Sequence, residues 1–226
     1  SATSDRDIVS LFSGFLSGPD NLQKNFTAVN GNTQEVTSRL QKAQHAIFGF
    51  EWDIIKHLNL NVECYRKNFT QLANLNRNKL YEDNAENSDI DDLIKKDFII
   101  ETGSAYGIDF VLKYDYKKFY FWSTYSLAKV DRWDGTIQYA PVFDRRHNVN
   151  LVGSYLFGKK KDLEMSVRWN LGSGLPFTPS AGGYQAETFN SGVNTNYATS
   201  NPSSVTTILG DFNSARLPYY HRLDIT

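Results

Sequence analysis

The chain carries one cysteine, one methionine and a net charge of only -1. A single Cys64 excludes an intrachain disulfide and a cysteine-rich metal cluster, and reads as a small apolar side chain. The near-neutral balance removes any electrostatic reason to expect nucleic acid as a partner. No run of about 18 apolar residues exists, so no transmembrane helix is encoded. The opening "SATSDRDIVSLFSGFLSG" lacks the basic start and unbroken apolar stretch of a signal peptide. Glycine-rich phosphate loops, nucleophile elbows and paired-cysteine motifs are all missing. His45, His57 and His221 lie far apart without metal-type spacing. His147, close to Asp144, sits at a strand start where a polar rim residue is expected. The sequence therefore gives no catalytic residue, no metal site and no cofactor, and an enzyme is not expected.

Aromatic residues are plentiful at 14%, and they recur with a period of two. Between His147 and Phe157 the odd positions Val149, Leu151, Tyr155 and Phe157 alternate with Asn148, Asn150 and Ser154. After a Gly-Lys-Lys-Lys interruption, Leu163, Met165, Val167, Trp169 and Leu171 alternate with Glu164, Ser166, Arg168 and Asn170. Alternation means strands with one face in an apolar medium and one in water. The same script runs through Ala46–Ile54, Leu58–Cys64, Tyr106–Tyr114 and His221–Ile225, and more loosely through Phe119–Val130. Seven strands are expected near 43–55, 58–71, 98–114, 119–130, 146–157, 162–173 and 217–226. Residues 1–42 are expected to be loop or irregular, with "DIVSLFSGFL" (Asp7–Leu16) compatible with a short helix.

The connections alternate short and long. Short ones fall at Lys56-His57, Asp115–Lys118 and Gly158–Lys161. Long ones run from about Leu72 to Asp97, Asp131 to Asp144 and Leu175 to Arg216. In a meander, this puts Lys56, Lys117 and Lys160 at one rim and Asp89, Trp133 and Gly183 at the other. That is the plan of outer-membrane barrels. The acids Glu82, Asp83, Glu86, Asp89, Asp91 and Asp92 lack the spacing and glycine of a calcium loop and read as a solvated face. Residues 181–204, rich in Gly, Ser, Thr and Asn, read as a mobile loop.

Several segments resemble the C-terminal barrel half of TonB-dependent outer-membrane receptors of Bacteroidetes type. They are "LQKAQHAIFGFEWDI", "DFIIETGSAYGIDFVLKYDY", "YSLAKVDRWDG", "YAPVFDRRHNVNLVGSY", "RWNLGSGLPFTP" and "RLPYYHRLDIT". The most specific are Asp144-Arg145-Arg146-His147-Asn148 and Arg216–Asp224, and the matches span Leu40 to Thr226 in order. The resemblance implies an all-β fold: an antiparallel meander over residues 43–226 that forms part of a transmembrane barrel of about 22 strands. It implies transport of a scarce nutrient such as a metal chelate, cofactor or glycan. Implied partners are outer-membrane lipid, a plug domain, the remaining barrel strands and, through the plug, the energy-coupling TonB protein. A surface lipoprotein is a further partner the resemblance leaves open. Nothing in the chain matches a plug or a terminal aromatic strand, so a fragment unable to conduct alone is expected.

Charge parity then distinguishes the faces. Asn59, Glu63, Asp109, Asn148, Asn150, Glu164, Arg168, Asn170, Arg222 and Asp224 share the polar parity, and a lipid-facing Arg or Lys costs about 2–4 kcal/mol at midplane. Weak ligand candidates are the loop aromatics Trp133, Tyr139, Phe177, Tyr184 and Tyr197, which equally suit loop packing or an interfacial girdle. The rival reading is a soluble β-sandwich that binds carbohydrate or protein, its apolar face packed on a second sheet. Parity also constrains register. The connection from Phe157 to Leu163 must have three or five residues or a bulge, and Ile54 and Leu58 should flank a three-residue turn. A four-residue Asp115–Lys118 turn would place Phe119, Phe121, Tyr125 and Leu127 on the apolar face.

Overall fold

The computed structural model describes residues 18–159, 162–185 and 205–226. In chain order the strands are β1 (Asn25–Thr27), β2 (Thr33–Glu35), β3 (Lys42–Ile55), β4 (Leu58–Leu75), β5 (Phe98–Tyr116), β6 (Phe119–Trp133) and β7 (Gln138–Tyr139). They continue as β8 (His147–Phe157), β9 (Leu163–Gly172), β10 (Pro176–Phe177), β11 (Ser180–Gln185), β12 (Val205–Leu209), β13 (Ala215–Arg216) and β14 (Tyr220–Ile225). A short α-helix, α1 (Asp92–Lys95), lies between β4 and β5, after a 3-10 turn at Ala85–Asn87. The fold is all-β. Its main sheet has the order β14-β9-β8-β6-β5-β4-β3, with β7 beside β6. Every pair in it is antiparallel. It is an open meander, and among the described residues β3 and β14 are its free edges.

The seven expected strands are all present, with ends shifted by a few residues. β4 outruns its expected end because a bulge between Phe69 and Leu72 lets it continue to pair with β5. The tail of the connection after β9 corrects an expectation: residues 181–185 form β11, which pairs with β12 instead of lying loose. Residues 186–204 and Asp7–Leu16 lie outside the described residues. From residue 18 onward the N-terminal segment includes a hairpin, β1–β2, whose turn passes through Gly31 at φ +82°.

Register carries the alternating apolar residues of each strand to one side, while Val111, Trp122, Val152 and Leu156 fall on the other. One cross-strand row reads Trp52, Leu60, Leu112, Ser123, Leu151, Trp169 and Leu223. The row above it reads Phe50, Val62, Phe110, Tyr125, Val149, Leu171 and His221. No charged residue stands on this face along β5 between Tyr106 and Tyr116. The parity expected at Gly158–Lys161 holds: Phe157 pairs with Leu163 across a five-residue connection, and Leu151 faces Trp169. The first turn differs from the expected one. Ile55 pairs with Leu58 across two residues, and a bulge after Asp53 restores the parity of Trp52 with Leu60. The β5–β6 turn is likewise two residues, Lys117-Lys118, with Tyr116 opposite Phe119. Phe119, Phe121, Tyr125 and Leu127 still fall on the apolar side, since shortening a turn by two preserves parity.

The short turns descend in steps. β5 runs two residues past Tyr114, the partner of Leu58, before turning at Tyr116–Phe119. β8 runs two residues past Tyr155, the partner of Phe119, before turning at Phe157–Leu163. Two residues rise about 6.7 Å, and two strand spacings are about 9.6 Å, so the stagger corresponds to a strand tilt of about 35°. The upper polar border steps the same way. Arg66 and Lys129 share one row with Tyr106, His147 lies one row lower, and His221 one lower again. The apolar band therefore runs obliquely across the sheet.

Packing concentrates at the long-loop end. Ile99, Ile100, Leu72, Phe26 and Tyr139 are buried there, and Gln23 Oε1 accepts from the Ile100 amide at 3.2 Å. Lower down the sheet is one layer thick. Phe48 is 72% exposed and Leu163 64%, and among the described residues no second sheet covers the apolar rows.

Candidate functional site

The polar face is built by the other half of each alternation. Glu63 stands opposite Asp109, Asn59 opposite Lys113, Asn150 opposite Asn170 and Arg168 opposite Asp224. Asn148, Glu164 and Arg222 share that face by register. Asn59 Nδ2 donates to Glu51 Oε1 at 2.7 Å and to Asp53 Oδ1 at 2.9 Å. Arg222 Nε donates to Asp224 Oδ1 at 2.9 Å. Acids, bases and amides are interspersed along this wall, as on a surface in contact with water.

At the long-loop rim three buried carboxylates, Asp144, Glu101 and Asp134, organise the connections. Asp144 accepts from the Val130 amide at 2.8 Å, pairs with Arg146 Nε at 3.1 Å and binds the Arg216 guanidinium. Arg216 Nη1 also donates to the Asp144 carbonyl at 2.9 Å and to the Gly174 carbonyl at 3.2 Å. The two motifs of the resemblance are thus joined through one carboxylate. Glu101, fully buried on β5, accepts from Asn74 Nδ2 at 3.0 Å and from the Tyr139 hydroxyl at 2.7 Å. Arg132 pairs with it at 3.3 Å. Arg77 lies over the rings of Tyr139 and Phe212, at 4.3 and 3.8 Å, while pairing with buried Asp134 at 2.6 Å. These contacts tie the three long connections together.

Gly174 is part of that junction, because a β-carbon there would sit 1.5 Å from the Leu217 carbonyl oxygen. Gly174→Ala is expected to lower stability by about 3 kcal/mol, the upper range for overpacking, in equilibrium urea unfolding. An unchanged midpoint would contradict this close approach.

Tyr139 supplies a pH signature. Burial first, and then the hydrogen bond to Glu101, push its phenol up to about 12. An unfolded tyrosine titrates near 10. The neutral phenol therefore supports the fold fully below about pH 10, and that support is lost as pH rises toward 12. Ultraviolet titration should show one fewer late-ionising phenol in Tyr139→Phe than in the parent. An unchanged late fraction in that variant would assign it elsewhere.

The loop aromatics do not converge. Tyr139 is buried, with its hydroxyl donating to Glu101. Phe177 lies in the β10–β13 pair, and Tyr184 is exposed on the β11–β12 hairpin. Tyr197 lies outside the described residues. Trp133 borders a cavity, with its indole Nε1 donating to the Thr27 carbonyl at 2.9 Å. This is a cleft of about 520 Å³ between the β1–β2 hairpin and the upper ends of β4, β5 and β6. Sequence reading passed over it because the hairpin has no alternation; the Asn30-Gly31 pair was the available turn signal.

The acidic connection is laced by lysines. Lys79 pairs with Asp97 at 2.7 Å and Glu82 at 3.0 Å, and Lys96 with Asp83 at 2.6 Å. Lys79 and then Asn21, as hydrogen-bond donors, hold the Asp97 carboxyl below the usual carboxylate range. Asp91 caps α1 by accepting from the Leu93 amide at 2.8 Å. Among the described residues no group of His, Cys, Asp and Glu is arranged to hold a metal.

The class these features define is an open, single-layer antiparallel meander with one apolar and one charged face. No family model matches the chain, and no curated protein or solved structure matches it.

Proposed function

We propose that the chain is a wall segment of a TonB-dependent receptor in the bacterial outer membrane, importing a metal chelate, cofactor or glycan. The observation that carries this reading is the uninterrupted apolar face on a sheet one layer thick. On β5 it spans the eleven residues from Tyr106 to Tyr116, about 33 Å along the strand. At a tilt of about 35–40° that is about 26 Å of height, the scale of the apolar band of outer-membrane barrels. Tyr114, Tyr116, Phe119, Tyr155 and Phe157 cluster where an interfacial girdle belongs.

The stagger of the turns supports a barrel wall, since closure requires strands tilted by about 35–45°. Free edges at β3 and β14 would take the remaining strands, because unpaired backbone cannot face lipid. The charged face would line the interior against a plug, through which the TonB protein acts. A soluble sandwich needs a partner for Phe48, Trp52 and Leu163, and these are exposed.

The test is uptake. Cells with and without the gene are offered a labelled iron chelate, a labelled cofactor and a labelled oligosaccharide, with and without an uncoupler. Gene-dependent accumulation of one of them, abolished by the uncoupler, is expected. Gene-dependent binding that ignores the uncoupler would overturn energy-coupled import.

A further inference from the structure

Where the β1–β2 hairpin folds over the sheet, three tiers of chemistry follow one another down the apolar-parity face. The top tier is the cleft, in which Asn30, Gln34, Asn68, Ser104 and Gln138 surround Trp133. Amides and hydroxyls both donate and accept, as sugar hydroxyls do, and an aromatic ring offers an apolar platform beside them. Asp131, paired with Lys129, and Arg132, paired with Glu101, also line the cleft, so both its charges are already matched and a neutral sugar suits it.

The middle tier is one row lower, about 7 Å down the strands, where Arg66, Tyr106 and Lys129 are neighbours. Arg66 Nε donates to Asn68 Oδ1 at 3.3 Å, and Lys129 Nζ pairs with Asp131 at 2.9 Å. Arg66 is exposed and faces no carboxylate within pairing distance among the described residues. Its guanidinium fork suits a phosphate. Below come Cys64, Ile108 and Leu127, then Val62, Phe110 and Tyr125.

Neutral sugar, then phosphate, then hydrocarbon is the order of groups along one kind of amphiphile. The geometry points to a binding site for a phosphorylated glycolipid. Its saccharide sits in the cleft, its phosphate on Arg66, and its acyl chains along Ile108 and Phe110. The site lies outside the proposed transport path and rests on the membrane reading, which supplies the lipid.

The protein in neutral detergent is titrated with four probes, using the fluorescence change that Trp133→Phe removes. They are an acylated glucosamine disaccharide bearing one phosphate, the same lipid without phosphate, its deacylated phosphorylated headgroup, and phosphatidylglycerol. The phosphorylated glycolipid should bind about tenfold tighter than the other three, the scale of one charge-assisted hydrogen bond. Arg66→Gln should erase the advantage over the dephosphorylated lipid and leave binding of the latter unchanged. Gln34→Ala with Gln138→Ala should weaken both glycolipids. Equal binding of phosphatidylglycerol, equal binding of the free headgroup, or an intact phosphate preference in Arg66→Gln would each overturn the site. Quenching of Trp52 by brominated lipid separates the failures: if it persists while the preference is absent, only the site falls. If it is absent, the membrane reading falls with it.

Discussion

Leu112→Arg is expected, on the proposed membrane reading, to destabilise the protein in lipid by about 2–4 kcal/mol, whereas Val111→Arg, one residue away, should change stability by less than about 1 kcal/mol. Leu112 lies mid-band in the row of Leu60, Ser123 and Leu151 on the apolar face. Val111 points to the charged face, between Asn61 and Thr124. An arginine at 112 has no charged partner in its row and would have to be desolvated or drag water inward. At 111 it would join Glu63 and Asp109, close by on the same side. The comparison holds strand, neighbours and side chain constant, and varies only the face. Reversible unfolding from lipid vesicles reads both numbers. Equal penalties at 111 and 112 would mean that the two faces do not differ in solvent.

Asp144→Asn should have the second largest effect, a loss of about 3 kcal/mol. Breaking a buried ion pair by removing one partner costs about 3–5 kcal/mol. Arg146 and Arg216 retain about a third of their side-chain exposure, so water recovers part of what they lose and the low end applies. The damage should be local. Hydrogen exchange at the Val130 and Leu217 amides should quicken, because Val130 bonds the carboxylate and Leu217 follows Arg216. The Trp169 amide, further down the sheet, should be unaffected. Unchanged exchange at Val130 would show that the carboxylate is dispensable to the junction.

Much of the sheet was legible because a period of two has a geometric consequence. Leu151 and Leu163 share parity, so any register that keeps both on one face fixes the sum of paired numbers as even, and the observed pairs obey it. Parity fixes only whether a turn is odd, even or bulged and not how many residues it has, which is why the Ile54–Leu58 and Tyr114–Phe119 turns came out differently. In the first a bulge did the work expected of a third turn residue; in the second two fewer residues gave the same face. The loop end was harder to read because its decisive contacts are distant in sequence. Asp144 and Arg216 each sit in a recognisable motif, yet nothing local indicates that they meet. Tyr139 and Trp133 look alike as loop aromatics, and only the bond to Glu101, on another strand, sets one of them apart. The cleft depends on a hairpin whose three-residue strands carry too few side chains to display a period.

The four tryptophans of the chain give the most direct test of the central claim, that the alternation separates lipid from water. Trp52 and Trp169 belong to one row of the apolar face, while Trp122, paired with Lys113 and Val152, lies between them on the charged face. Variants that retain one tryptophan each, the others replaced by phenylalanine, are placed in vesicles whose acyl chains carry bromine. Strong quenching of Trp52 and Trp169 with little quenching of Trp122 is the predicted result. Quenching of Trp122 as strong as that of Trp52, or none at any of the three, would contradict the claim.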